Sequence, residues 1–267
     1  MRPVPGLTLH AYDAVLDAPG THRGMPSPTV TLVLPLGAPL DVAWEGEPAS
    51  RVHQWSTVSG MHTRPALIRH DGWQSGVQLA LSPSACRAVL GVPAAAVAGA
   101  LVTLPDLLAR APWLADLPER LAASRTPAER VAVVRTGLAR AVAQDHAATP
   151  AALGEALRLL GAGARVAAAA EAVGYSRRRL STLVRAETGV DPQTYARLAR
   201  LDRARSAVVD RVRSGATAPR FAEVAAVTGY ADQAHLARDW RALVGRPPSE
   251  WLREEFPMLQ AGPVPAG

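Results

Sequence analysis

VGYSRRRLSTLVRAETGVDPQTYAR (173–197) and TGYADQAHLARDWRALVGRPPSEWLR (228–253) carry the same pattern twice. Each has a Gly-Tyr pair, then a leucine (Leu180, Leu236), and a glycine nine residues on (Gly189, Gly245). A proline follows three positions later (Pro192, Pro248), and an aromatic three beyond that (Tyr195, Trp251). The second copy has one extra residue in its turn. Upstream, VAAAAEAVGY (166–175) parallels FAEVAAVTGY (221–230). A small-residue helix, a glycine turn and an amphipathic helix make the order of a helix-turn-helix. The chain therefore predicts two such units in tandem.

The punctuation around them is helical. Thr149-Pro150 opens a helix that Gly161-Ala162-Gly163 closes, and a second helix spans about 165–173. A third starts at Ser176, a good N-cap, and stops before Gly189. A fourth begins at Asp191-Pro192 and reaches Ser214-Gly215, roughly 34 Å at about 1.5 Å per residue. Paired recognition helices sit about one B-DNA turn apart, about 34 Å. One chain can thus span two successive major grooves.

The third helix opens on Arg177, Arg178 and Arg179, although a helix N-terminus carries positive partial charge and favours acids. A docking polyanion removes that conflict. On a helical wheel Leu180, Leu183 and Val184 form the buried stripe, while Arg178, Thr182 and Arg185 lie opposite with Ser181 beside them. In the second copy Leu236 and Trp240 face the core. Ala234, Arg238 and Arg241 point away, flanked by Gln233 and Ala237. Arginine can bond guanine through two N–H groups, glutamine can bond adenine, and alanine can touch the thymine methyl. Arg177, Arg179, Arg185 and Arg241 suit phosphate oxygens, which set affinity and register rather than base choice. Tyr175, Tyr195, Tyr230, Trp240 and Trp251 recur beside glycines and leucines, and read as packing residues.

These residues resemble the DNA-binding domain of the AraC/XylS family of bacterial transcription regulators, two helix-turn-helix units joined by a long helix. The best-matched parts are AEVAAVTGYADQAHLARDWRALVGRPPSEWLR (222–253) and the Gly-Tyr-Ser … Glu-Thr-Gly-x-x-Pro of the first unit. By position, the resemblance implies base reading by Arg178, Ser181, Thr182, Gln233, Ala234, His235 and Arg238; the wheel puts His235 on a flank. Ala231 stands where the family has a capping serine, so Asp232 is the expected substitute. Asp239 takes the place of Leu183, and Ala169 that of a branched aliphatic, so looser packing is expected in each unit. The resemblance also implies a cupin-like β domain at the N-terminus that senses a ligand or mediates dimerisation.

The residues before 147 fit that outline. Residues 1–90 are rich in Pro and Gly and hold short strand-like runs, TVTLVLPL (29–36), VHQWSTVS (52–59) and GVQLALS (76–82). From about 83 the period becomes helical, in LPDLLARA (104–111), LPERLAA (117–123) and PAERVAVVRTGLARAVAQ (127–144). In the last, Thr126 and Pro127 mark the start, and Val131, Val134, Leu138, Ala141 and Val142 share a face. The polar break QDHAATP (144–150) marks the boundary. The fold class is thus α+β: a small β-rich domain with connecting helices over 1–146, an all-α domain over 147–256, and a flexible tail over 257–267.

Charge supports this division. All 29 basic residues are arginine, and 17 of them fall after residue 149 against 12 acids; before it, 12 arginines meet 11 acids. The basic excess lies with the duplicated units, as an anionic partner requires. Double-stranded DNA is the expected partner, RNA polymerase and a small-molecule effector are candidates, and a homodimer through the 127–144 helix is expected. His62 and Arg64 with Trp44, Trp55 and Trp73 form a candidate pocket for an anionic or aromatic effector. His22, His53, His62 and His70 match no metal-ligand spacing, so neither metal nor cofactor is expected.

Cys86 is the only cysteine, which excludes an internal disulfide and suits a cytoplasmic protein. The uncharged run Ala88–Pro105 is broken by Gly91, Pro93 and Gly99, and reads as buried soluble structure rather than a membrane span. GAGAR (161–165) is a helix end, no G-x-S-x-G occurs, and Cys86 has no base beside it, so no enzyme is expected. The rival reading is a cupin-type small-molecule or metal-binding protein, or enzyme, with an accessory DNA-binding module.

Overall fold

Alternation at a period of two builds the first half of the chain. In the computed structural model, which describes all residues except 1–3, 17, 145–147, 216–218, 262 and 265–267, eight strands lie between Leu7 and Leu81. β1 (Leu7–Val15), β3 (Val30–Leu36), β6 (Thr57–Ser59) and β8 (Trp73–Leu81) share an antiparallel sheet with β9 (Leu101–Thr103). β2 (Gly20–Gly24), β4 (Leu40–Trp44), β5 (Glu47–Gln54) and β7 (Ala66–His70) form the other sheet, in the order β2-β7-β4-β5. β1 pairs with β8 from Leu7↔Leu81 to Val15↔Trp73, and β3 pairs with β8 on its other side.

That register gives the first sheet two different faces. Val30, Leu32, Leu34, Val77, Leu79 and Leu81 are buried in the core. Their neighbours His10, Tyr12, Thr31, Val33, Gln78 and Ala80 line a cavity with residues of the second sheet. The run VHQWSTVS, read as one strand, is two: β5 and β6 belong to different sheets, and the chain crosses between them at Trp55-Ser56. A step of that kind leaves no mark in a pattern of alternation.

Helices α1 (Pro83–Leu90), α2 (Leu104–Leu107), α3 (Leu117–Ala122) and α4 (Pro127–Val142) follow. The helix expected over 104–111 ends after one turn. Thr126 caps α4 as expected, in a capping box with Glu129. Val131, Val134, Leu138 and Ala141 are buried, but Val142 is 49% exposed and does not share their face. No helix among the described residues is long and apolar enough to cross a membrane.

The remaining helices are α5 (Ala151–Gly161), α6 (Val166–Ala172), α7 (Arg177–Thr188), α8 (Pro192–Arg213), α9 (Phe221–Thr228), α10 (Gln233–Val244) and α11 (Pro248–Ala261). Part of the boundary placed at 146/147 lies outside the described residues. The segment after 256, read as a flexible tail, instead continues α11 to Ala261, and a short strand, β10 (Pro263–Val264), pairs with β1.

The packing does not follow the boundary read from sequence. One apolar core runs from the first sheet through α1 and α4 into α5, α6 and α7, and ends at Tyr195 in α8. A second core begins at Leu198 in the same helix and takes in α9, α10 and α11. The first helix-turn-helix unit is therefore joined to the β domain, and the second stands on its own core.

Candidate nucleic-acid interface

Both units have the local chemistry that their sequence requires. Ser176 Oγ accepts from the N–H of Arg179 to start α7, and Asp232 accepts from that of His235 to start α10, so the aspartate supplies the missing cap. Gly189 and Gly245 end the two helices at φ +80° and +75°, a conformation that suits glycine. Leu180 and Val184 of α7, and Leu236, Trp240, Leu243 and Val244 of α10, are buried.

What remains outside is polar and basic. Arg177, Arg178, Arg179, Thr182 and Arg185 are exposed on α7, and Gln233, Ala234, Arg238 and Arg241 on α10. Ser181 and His235 are half-buried. His235 stands edge-on to Tyr230 at 5.2 Å, and its Nδ1 accepts from the N–H of Ala231, so part of its bonding capacity holds the turn. Arg179 lies over the Tyr175 ring at 4.9 Å, which braces it at the start of α7.

Each recognition helix contains one acid, and both acids turn inward. Glu187 of α7 is 2% exposed and takes Nε of Arg87, on α1, at 2.8 Å, with Thr149 Oγ1 at 3.1 Å. Asp239 of α10 is 8% exposed and binds Arg197 and Arg200 of α8 and the Tyr230 hydroxyl. Arg200 also lies 4.7 Å over the Tyr230 ring. The looser packing expected at Asp239 is not found: a polar cluster replaces the apolar contact made by Leu183. The outer face of both helices is left with positive charge that no acid of its own helix neutralises.

The second feature is a cavity of about 300 Å³ between the two sheets, closed on one side by α8 and α11. Asp202, Arg205 and Arg213 reach it from α8, and Trp251 and Glu255 from α11. From the two sheets and the loop after β6 come His10, His22, Arg23, Thr57 and His62. His22 Nδ1 and Thr57 Oγ1 are buried and have no partner among the described residues. Burial, with His70 nearby, pushes the His22 imidazole down to about 4, and burial does the same to His62. Both rings are neutral near pH 7 and can accept as well as donate.

The five residues grouped as an effector pocket do not converge. Trp44 is buried, with the His62 ring tilted against it at 4.4 Å. Arg64 lies 5.7 Å over the Trp44 ring and pairs with Glu47 at the surface. Trp55 is 52% exposed, and Trp73 lines another depression, beside Leu36, Pro39 and His70, and donates its indole N–H to Asp13. Only His62 reaches the interdomain cavity.

Residues 169–254 match the family described as "Helix-turn-helix domain". These residues are an AraC-type DNA-binding domain. The whole chain is similar in fold to ToxT of Vibrio cholerae O395, with TM-score 0.53 and 11% identity over 97% of this chain and 100% of that one. Apo ToxT K231A of strain SCE256 gives 0.55 and 10% over 95% and 99%. ToxT of the same strain bound to unsaturated fatty acid gives 0.51 and 11% over 94% and 97%. No curated protein matches the sequence. With an AraC-type domain carrying two exposed recognition helices, the protein is a DNA-binding transcription regulator.

Sequence reasoning missed two kinds of residue in and around the AraC-type domain. Arg165 and Arg220 are exposed and stand at equivalent places, just before α6 and α9, where the repeat alignment could have paired them. The cavity residues Arg205 and Glu255 could not have been found, because their partners come from strands some two hundred positions away.

Glu255 supplies a test of this interdomain contact. Burial pushes its carboxyl up to about 7, against the bond it accepts from the Arg23 N–H at 2.8 Å. An unfolded glutamate releases its proton near pH ~4.3. The group's contribution is therefore full below that value and is lost as pH rises through about 7. Glu255→Gln keeps the acceptor for Arg23 and is expected to be more stable than the parent at pH 8, by up to about 3 kcal/mol, and no more stable at pH 4. Thermal melts of both proteins at the two pH values check this. His22 and His62 titrate in the opposite sense, but they are common to both proteins and cancel.

Proposed function

We propose that the protein binds a specific double-stranded site through α7 and α10, placed in successive major grooves on one face of the duplex. Arg178, Ser181 and Thr182, and in the second unit Gln233, Ala234, His235 and Arg238, read base edges. Arg177, Arg179, Arg185 and Arg241 hold phosphates. The observation that carries this reading is the inward turn of Glu187 and Asp239, which leaves both outer faces basic. The 22-residue α8 supports the spacing, at roughly 33 Å for about 1.5 Å per residue. A dimer through α4 would present four such units.

The cavity is the effector site in this reading. Its orphaned His22 and Thr57 supply polar handles, and Arg205 and Arg213 suit a carboxylate. The fatty-acid-bound ToxT structure supports the class of ligand, an amphipathic acid. Because the walls come from the two sheets and from α8 and α11, occupancy would act on the second unit.

The division between base and phosphate contacts has a direct test. Arg177→Ala should weaken binding to every sequence alike and reduce the slope of log K against log salt by about 0.9. Fluorescence titrations at four salt concentrations, on the selected site and on unrelated DNA, measure both slopes. A loss confined to the selected site would remove Arg177 from the phosphate set.

A further inference from the structure

Arg203 lies at the middle of α8, half-buried, and belongs to neither recognition helix. Its Nη1 donates to the carbonyl of Gly161, the last residue of α5, and its Nη2 to that of Thr228, the last of α9, at 3.4 Å. The guanidinium also lies beside the glycines that follow these helices, Gly163 and Gly229. The final carbonyls of a helix lack intrahelical partners and carry its negative partial charge. Two such ends, one from α5, which packs on both helices of the first unit, and one from the first helix of the second unit, therefore converge on a single cation. The planar fork of arginine serves them from two separate nitrogens in a fixed geometry, whereas lysine has a single nitrogen on a flexible stem.

This matters because the two units have separate apolar cores, the second also resting on β1 and β2 through α11. The core of the first ends at Tyr195 and that of the second starts at Leu198, so α8 is the continuous element between them. A helix joining two separately packed bodies fixes their distance but resists bending and twisting less well. We propose that Arg203 is a positioning residue that sets the angle between the two helix-turn-helix units, and with it the spacing of the DNA blocks the protein accepts. The DNA part of this rests on the two-groove reading; the geometric part does not.

Two measurements separate them. Spin labels at Ala186→Cys and Ala242→Cys, both exposed sites on the recognition helices, report the distance between the units without DNA, and Cys86 is buried. The parent should give one narrow distance population. Arg203→Ala should broaden it, and Arg203→Lys should fail to restore it, with both variants folded by circular dichroism. An unchanged distribution in Arg203→Ala overturns the proposal.

The second measurement uses full-length protein on a selected two-block site and on versions with one or two base pairs added or removed between the blocks. Arg203→Ala should lose about tenfold on the native spacing while its affinity for a single block stays constant, because the loosened second unit has a lower effective concentration. Its preference among spacings should flatten. Equal losses on one-block and two-block DNA would mean a purely structural role and overturn the proposal. If the parent itself shows no preference for two blocks, the two-groove reading fails, and the label distances alone decide the role of Arg203.

Discussion

Replacing Arg178 and Arg238 together with alanine is expected to abolish discrimination between the selected site and unrelated DNA, while the protein remains folded and retains salt-dependent binding. Each arginine stands exposed on the outer face of its recognition helix, and neither is within an ion pair among the described residues. A two-pronged contact to guanine contributes about 1–3 kcal/mol of discrimination, and contacts in separate grooves add. The pair should therefore cost about 2–6 kcal/mol on the selected site and little elsewhere. Competition titrations with base-substituted duplexes measure it, each single variant losing preference at its own block only. A double variant that keeps its discrimination would move base reading to other residues.

Glu187→Ala is expected to loosen the first unit from the β domain at a cost of about 2–3 kcal/mol, below the range for a fully buried ion pair because the Arg87 left behind is 24% exposed and reaches water. The carboxylate is 2% exposed and accepts from both Arg87 and Thr149, and its loss leaves the arginine without a partner. Beside it, Gly189 lies so close to the 3-10 turn Ala94–Val97 that a Cβ would fall 2.3 Å from Ala98 Cβ, so the two surfaces have no slack. Urea unfolding should show a lower midpoint, and the double variant Arg87→Met/Glu187→Leu should recover most of the loss, because the pair goes together. A single variant as stable as the parent would mean that the contact does not hold the unit in place.

How much of this could be read beforehand depended on distance along the chain. Ser176, Thr126 and Asp191-Pro192 marked helix starts correctly, since a cap and the N–H it serves lie within three residues. The duplicated offsets placed both recognition helices, and even the substitute cap at Asp232, by the same local logic. Asp239 was misjudged because its partners Arg197 and Arg200 lie some forty positions away, and burial of an acid is intelligible only once they are seen.

The tryptophans misled for the opposite reason. Trp44, Trp55 and Trp73 are close in sequence, but the crossing at Trp55-Ser56 and the alternation of the strands send them to three places. The boundary near residue 147 marks a polar break between two helices, not a gap in packing. The first core ignores it and stops only inside α8. Experiments on DNA binding therefore call for the full chain, since a fragment starting at 150 would expose the surface that α7 buries against Arg87 and the turn Ala94–Val97.

The most direct measurement is selection of binding sites from random duplexes by the full-length protein at near-physiological salt, followed by methylation interference on the enriched sequence. Two short blocks on one face of the duplex, about 10 base pairs apart centre to centre, are predicted, each protected in the major groove. A single block, or two blocks facing opposite sides of the helix, would contradict reading by α7 and α10 together.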